Sequence, residues 1–198
     1  MKLTAVAKNI KNGGLCSVYH IGKWNDVWIR TVHGIYHMNG YPRPEKMEEL
    51  AMMLGIGPKT MENIAYDDFT EDDTSDVAGF DLGDSTINEI RVLPMELEVT
   101  INNQNIRLLT DERKNYIVAV DMEELAPLQD EFAKSAYMAF YIREKASGEK
   151  YIVVKDGLNV RAALVQPDIK EKLRDSMLET LTLLRMDGER IENGEQEQ

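Results

Sequence analysis

Two stretches, one near each end of the chain, follow the same order of elements, and that order limits the fold more than any other feature. The first runs Val18-Tyr19-His20-Ile21, a turn, Trp28-Ile29, Gly34, Pro42 and a helical stripe. The second runs Phe140-Tyr141-Ile142, a turn, Tyr151-Ile152, Gly157, Pro167 and a helical stripe. β-Branched and aromatic residues suit pleated, half-buried strands, and Gly and Pro punctuate them. Each stretch therefore reads as β-turn-β-turn-β-Pro-α. One such unit covers its own apolar sheet face poorly, so two of them gain by packing around shared surface. Identities between the two are few, and both duplication and convergence on a hairpin-plus-helix plan stay open.

The intervals follow the same rules. Leu3, Val6, Ala7 and Ile10 form a short helical stripe, and Asn12-Gly13-Gly14 is a turn. Gly34 breaks Val27 to Met38 into two strands. A helix is expected from Pro44, with Glu45, Glu48 and Glu49 in its first turn and Gly55 and Gly57-Pro58 stopping it. A second helical turn is expected around Lys59 to Ala65. Beyond these, strands are expected over Thr86 to Leu93, Glu96 to Ile101, Ile106 to Thr110 and Tyr116 to Val120, with Asn102 to Asn105 as a hairpin turn. Met122 to Leu128 reads as a helical turn ended by Pro127. Tyr137 to Arg143, Tyr151 to Lys155 and Leu158 to Val165 form a meander. Asp168 to Met186 reads as the longest helix, since Ile169, Leu173, Met177, Leu181 and Leu184 recur at helical steps.

The fold class is thus α+β, with antiparallel hairpin-rich sheets, packed helices and two units of related β-β-β-α order. The expected organisation is an N-terminal meander-plus-helix unit over 1–65, an acidic loop or linker over 66–85, a C-terminal α+β unit over 86–188, and a disordered tail over 189–198. The linker reading rests on charge. Between Lys59 and Arg91 there is no basic residue, while Asp67, Asp68, Glu71, Asp72, Asp73, Asp76, Asp81 and Asp84 accumulate, and like charges repel while burying little.

Cys16 is the only cysteine, which rules out an intramolecular disulfide and a multi-thiolate metal site and points to a reducing, cytoplasmic setting. No apolar run nears the roughly twenty residues that a bilayer crossing needs. The formal net charge is −12, from 35 acidic and 23 basic side chains. That balance disfavours direct nucleic-acid binding, whose affinity comes from Lys and Arg on phosphates. The chain also carries 11 methionines. Together with the apolar helix stripes these fit a homo-oligomer, although Met more often fills gaps in a core.

Val27 to Tyr41 (VWIRTVHGIYHMNGY) with the helix after Pro44, and Tyr151 to Asp168 (YIVVKDGLNVRAALVQPD) with the last helix, resemble uncharacterised proteins carried by phages and integrative elements of Firmicutes. The likeness covers about half the chain, at its two ends. It implies a mobile-element origin and an accessory role, and it brings no catalytic residue or cofactor with it.

No catalytic or metal-binding set is read from the residues, and no cofactor is expected. Neither GxxxxGK[ST] nor GxGxxG occurs. A nucleophilic or metal-dependent alternative would centre on Cys16, His20, His33 and His37. His20 could share a strand face with Cys16, and His33 and His37 lie four apart. The favoured reading is a non-enzymatic protein that binds another macromolecule, with a protein as partner. Its candidate surface is the acidic segment, Asp67, Asp68, Phe69, Glu71, Asp72, Asp73 and Asp76, where Tyr66, Phe69 and Phe80 interleave with carboxylates. Such a surface could anchor in a basic groove and act as a nucleic-acid mimic, for example as an anti-CRISPR or other counter-defence inhibitor of a host nucleic-acid enzyme.

Overall fold

A computed structural model describes the chain apart from residues 23–25, 85, 87, 88, 102, 112–116, 170–175, 177, 178 and 180–198, and apart from the side chains of 96 and 97. The first helix, α1 (Leu3–Gly13), buries Val6, Ala7 and Ile10, and ends at Gly14, whose φ of 69° is one that glycine adopts without strain. Strands β1 (Leu15–Ile21), β2 (Asp26–Arg30) and β3 (Gly34–His37) follow as an antiparallel meander. Gly34 breaks the second expected run as anticipated. An added Cβ there would lie 2.7 Å from the Tyr36 hydroxyl and 2.9 Å from Leu164, so a side chain at this position would force one of them to shift.

Helix α2 (Met47–Leu54) starts three residues later than Pro44 suggested. Lys46 is extended at the cap, and the Glu49 carboxylate reaches back to accept from the Glu45 N–H at 2.9 Å, which fixes the start there. A single turn, α3 (Pro58–Met61), precedes β4 (Ala65–Glu71). After a long connection come β5 (Ile90–Ile101), β6 (Gln104–Asp111) and β7 (Ile117–Asp121). Where two strands were expected over Thr86 to Leu93 and Glu96 to Ile101, β5 is one, because the register shift between Pro94 and Glu98 places the proline at a bulge. Pro127 likewise does not end the next helix. It occupies the first turn of a 3₁₀ segment (Ala126–Leu128) joining α4 (Met122–Leu125) to α5 (Gln129–Lys134). Strands β8 (Met138–Glu144), β9 (Lys150–Asp156) and β10 (Asn159–Val165) complete the second meander. The helix expected from Asp168 to Met186 falls largely outside the described residues, and Ser176 and Glu179 within it are helical.

The ten strands among the described residues join one sheet in the order β4-β1-β2-β3-β10-β9-β8-β5-β6-β7. The two echoing meanders meet edge to edge at the antiparallel β3–β10 pair, with Ile35 opposite Ala163. The echo reaches one element further than the sequence indicated, since a helix precedes each meander, α1 before β1 and α5 before β8.

The helices contribute to the core on one face of the sheet. There Val6, Ile10, Leu50, Leu54, Leu125 and Leu128 pack on Val18, Ile29, Tyr36, Ile152, Val154 and Leu164. The opposite face has two smaller clusters. In one, Val77, Phe80 and Leu82 cover Tyr19, Trp28, Ile35, Tyr151 and Val153, and in the other Ile169 packs with Ile106, Leu108, Ile117 and Ala119. No helix among the described residues is long and apolar enough to cross a membrane.

Candidate functional site

The acidic stretch expected as a loop or linker has two structural roles. Its first part is β4, paired in parallel with β1 from Leu15↔Ala65 to Ile21↔Glu71. Aspartate is a poor strand former, and the strand is held instead by its neighbour and by one aromatic contact. Phe69 stacks on Tyr19 at 4.9 Å between ring centroids. β4 is the last strand on its side of the sheet. Ala65 N–H donates inward to the Gly14 carbonyl, and the Glu71 carbonyl accepts inward from Gly22 N–H. In a parallel ladder alternate residues bond the same neighbour, so Tyr66, Asp68 and Thr70 direct their backbone N–H and C=O groups outward. The side chains alternate independently: Asp67, Phe69 and Glu71 lie on the face of Tyr19, and Tyr66 and Asp68 on the face of Cys16.

The seven acidic-segment residues singled out from sequence are not equivalent. Asp68 takes a hydrogen bond from Tyr66 at 3.2 Å and pairs with the buried His20 at 3.2 Å. Burial, with the Asp68 carboxylate next to it, raises the Tyr66 phenol. Asp73 accepts from the Ser75 hydroxyl and N–H at 2.6 and 2.8 Å, and these bonds hold its carboxyl below the usual range. Asp76 accepts from the Gly79 N–H at 3.1 Å. Asp73 and Asp76 therefore shape turns. Asp67, Glu71 and Asp72 form no ion pair among the described residues, and Phe69 is 40% exposed despite its ring contact.

From Asp72 to Asp84 the chain is a strap across the face opposite the helices. Val77, Phe80 and Leu82 are buried, and Val77 and Phe80 exchange backbone hydrogen bonds at 2.8 and 3.0 Å. Two buried cations from the sheet hold it down. Arg143 on β8 donates to the Asp81 carbonyl at 2.8 Å and to Glu89 at 2.7 Å, and Lys155 on β9 donates to the Asp84 carbonyl and to Glu89 at 2.8 Å. Burial alone would raise the Glu89 carboxyl, but the hydrogen bonds from Lys155 and Arg143 outweigh it and hold the group below its ordinary value. The Tyr151 hydroxyl joins in, accepting from Asp81 N–H at 3.0 Å. Within the strap both cations donate to backbone carbonyls, those of Asp81 and Asp84, while the carboxylate they share, Glu89, lies beyond it, and a count of charges along the sequence could not reveal this.

The Cys16 and histidine alternative does not assemble. Cys16 and His20 share a face of β1 but stand about 13 Å apart along it, and His20 points its Nε2 at Asp68. Burial pushes the Cys16 thiol up to about 12, so it stays protonated. His37 stacks on Trp28 at 4.8 Å between ring centroids. It lies on the opposite face from His20, since His20 pairs with Val27 and His37 with the adjacent Trp28. His33 is exposed in the turn before β3.

A second polar constellation was not legible in the sequence. Glu124 on α4 is 7% exposed and Asn9 on α1 is 6% exposed. The Tyr36 hydroxyl donates to Glu124 Oε2 at 2.5 Å, and Asn9 Nδ2 donates to the same oxygen at 3.1 Å. Burial pushes the Glu124 carboxyl up, and the bond from Tyr36 offsets part of that shift. These residues come from three elements and are separated by 88 and 115 positions, so no local motif announces them.

No protein-family model, curated protein or solved structure matches the chain.

Proposed function

We propose that the chain is a non-enzymatic macromolecule-binding protein that docks a basic, extended segment of a protein partner along the free edge of β4, in the accessory role that the mobile-element resemblance implies. The observation that carries this reading is the edge itself: an exposed strand whose outward backbone groups have no strand partner among the described residues, beside Asp67, Glu71 and Asp72, which form no ion pair among them. Strand addition supplies affinity through main-chain hydrogen bonds, and flanking side chains select the partner. Here the selection is electrostatic. The acidic flank of Asp67, Glu71 and Asp72 repels a second copy of itself, which guards the edge against self-association, and attracts a strand bearing Lys or Arg. Phe69 offers an apolar anchor beside the charges.

The reading is tested by capture from a bacterial lysate with the intact protein and with D67N/E71Q/D72N. This variant spares Asp68, Asp73 and Asp76, whose carboxylates have structural partners. Partners held by the intact protein, released by raised salt and lost by the variant support the proposal. Identical partners on both proteins, insensitive to salt, contradict it.

A further inference from the structure

A polar cavity of about 270 Å³ opens where α1, the turn before β3, the β5–β6 turn and the start of α4 converge. Asn9 and Glu124 belong to its lining, together with Asp121, Glu123 and His33. We propose that this cavity binds the head of an organic cation, a guanidinium or primary ammonium group, against Glu124.

A carboxylate has two acceptor oxygens, and in Glu124 both donors from the protein, Tyr36 Oη and Asn9 Nδ2, converge on Oε2. Among the described residues no hydrogen bond to Oε1 is formed. Asn9 uses its amide hydrogens on Glu124 Oε2 and on the Glu123 carbonyl, at 3.1 and 3.2 Å, which leaves its Oδ1 to offer. Two side chains, each more than nine-tenths buried, therefore line a cavity to which they can contribute acceptors. A ligand that fits this lining must bring N–H or O–H groups to meet those acceptors.

Charge narrows the class further. Three carboxylates, Asp121, Glu123 and Glu124, face one imidazole, that of His33. Lys8 pairs with Glu123 at 2.7 Å, but both side chains are more than half exposed and the pair is readily exchanged. Asp121 accepts from the Glu123 N–H at 2.8 Å and keeps its place at the rim. A planar guanidinium matches a carboxylate oxygen beside an amide oxygen through its fork of donors, and an ammonium matches the same pair as a point charge. A phosphate or carboxylate ligand would be repelled by these three carboxylates.

The same head group can arrive on a free small molecule or on the side chain of a peptide. An NMR titration of the full-length protein separates them with three probes: methylguanidinium, its neutral isostere N-methylurea, and a capped Gly-Arg-Gly peptide, each followed at the Asn9 side-chain amide. Methylguanidinium or the peptide should shift that signal saturably, with at least tenfold higher affinity than N-methylurea. The tighter of the two cations identifies the source. E124Q retains an acceptor for Tyr36 and Asn9 while placing an amide where Oε1 stood, and should weaken the cation at least tenfold. D121N, at the rim, should weaken it less. Equal binding of N-methylurea, no saturable shift with either cation, or unchanged affinity in folded E124Q would overturn the proposal. The wild-type comparison of cation with isostere decides the matter even if E124Q does not fold.

Discussion

One acidic stretch of chain serves two opposite structural ends. Over Ala65–Glu71 it is a strand at the rim of the sheet, with Asp67, Asp68, Phe69 and Thr70 exposed. Over Asp72 to Asp84 it becomes a strap that buries Val77, Phe80 and Leu82 and is clamped by Arg143 and Lys155. Net charge is the same in kind along both parts. The difference lies in what the backbone meets: open solvent along β4, and an apolar sheet face with two buried cations beneath the strap. Acidic composition alone therefore decides neither order nor disorder. A few apolar anchors and a pair of cations far away in sequence suffice to fix the second part.

This contrast makes the two parts separable by mutation, and the largest effects are expected in the strap. Phe80 is 2% exposed and makes an edge contact with Tyr151 at 5.1 Å between ring centroids. F80A should cost about 3 kcal/mol in denaturant unfolding and should speed hydrogen exchange at Val77 and Phe80, whose amides bond each other's carbonyls. An unaltered exchange rate there would show that the strap is held without its anchor.

Nearly as large an effect is expected at the clamp. Arg143 is 2% exposed and carries Glu89 and the Asp81 carbonyl together. R143A leaves Glu89 with Lys155 alone and should cost about 2–3 kcal/mol, toward the lower end for removal of one partner of a buried pair because Glu89 is partly accessible. Strap amides should exchange faster in this variant while β4 keeps its capture of partners. Loss of capture together with stability would merge the two parts that the account separates.

The pH dependence sharpens the same division. The folded carboxyl of Glu89 lies below its ordinary value of 4.5. Its stabilising contribution is therefore present above the unfolded value and is lost as pH falls through the folded one. Acidification below about pH 4.5 should loosen the strap, and E89Q should remove that part of the acid response. A wild-type and an E89Q acid unfolding curve with the same slope in this window would contradict the clamp. Glu124 has the opposite sign. Its folded carboxyl is raised, so its contribution is present below the unfolded value and lost as pH rises through the folded one.

The smallest effect on stability belongs to the rim. Asp67, Glu71 and Asp72 have no ion pair among the described residues, so D67N/E71Q/D72N should leave unfolding within about 0.5 kcal/mol of wild type while abolishing capture. A markedly less stable variant would show that these carboxylates hold the fold rather than a partner.

The meanders were legible because Val, Ile, Tyr and Phe alternate between Gly and Pro markers. Examples are the breaks at Gly34 and Gly157, and α1 was legible from Val6, Ala7 and Ile10 on one stripe. β4 was not, since Asp67 and Asp68 oppose strand propensity and only the register with β1 overrides it. Pro127 misled because a proline in a first turn needs no N–H partner, and the chain continued into α5. Of the seven candidate residues read from sequence, Asp67, Asp68, Phe69 and Glu71 come together on one strand, Asp72 directly follows it, and Asp73 and Asp76 are spent on local turns. The Asn9–Tyr36–Glu124 cluster is a product of tertiary structure alone, with nothing in the sequence around any one of its members to mark it.

Hydrogen exchange along β4, with and without a synthetic peptide of alternating lysine and valine, tests the central claim most directly. The outward N–H groups of Tyr66, Asp68 and Thr70 should exchange rapidly in the free protein, become protected when the peptide is added, and remain unprotected in D67N/E71Q/D72N. Protection of these amides before any peptide is present, or protection by the peptide that appears elsewhere and survives the neutralised variant, would contradict an open, acid-selected edge.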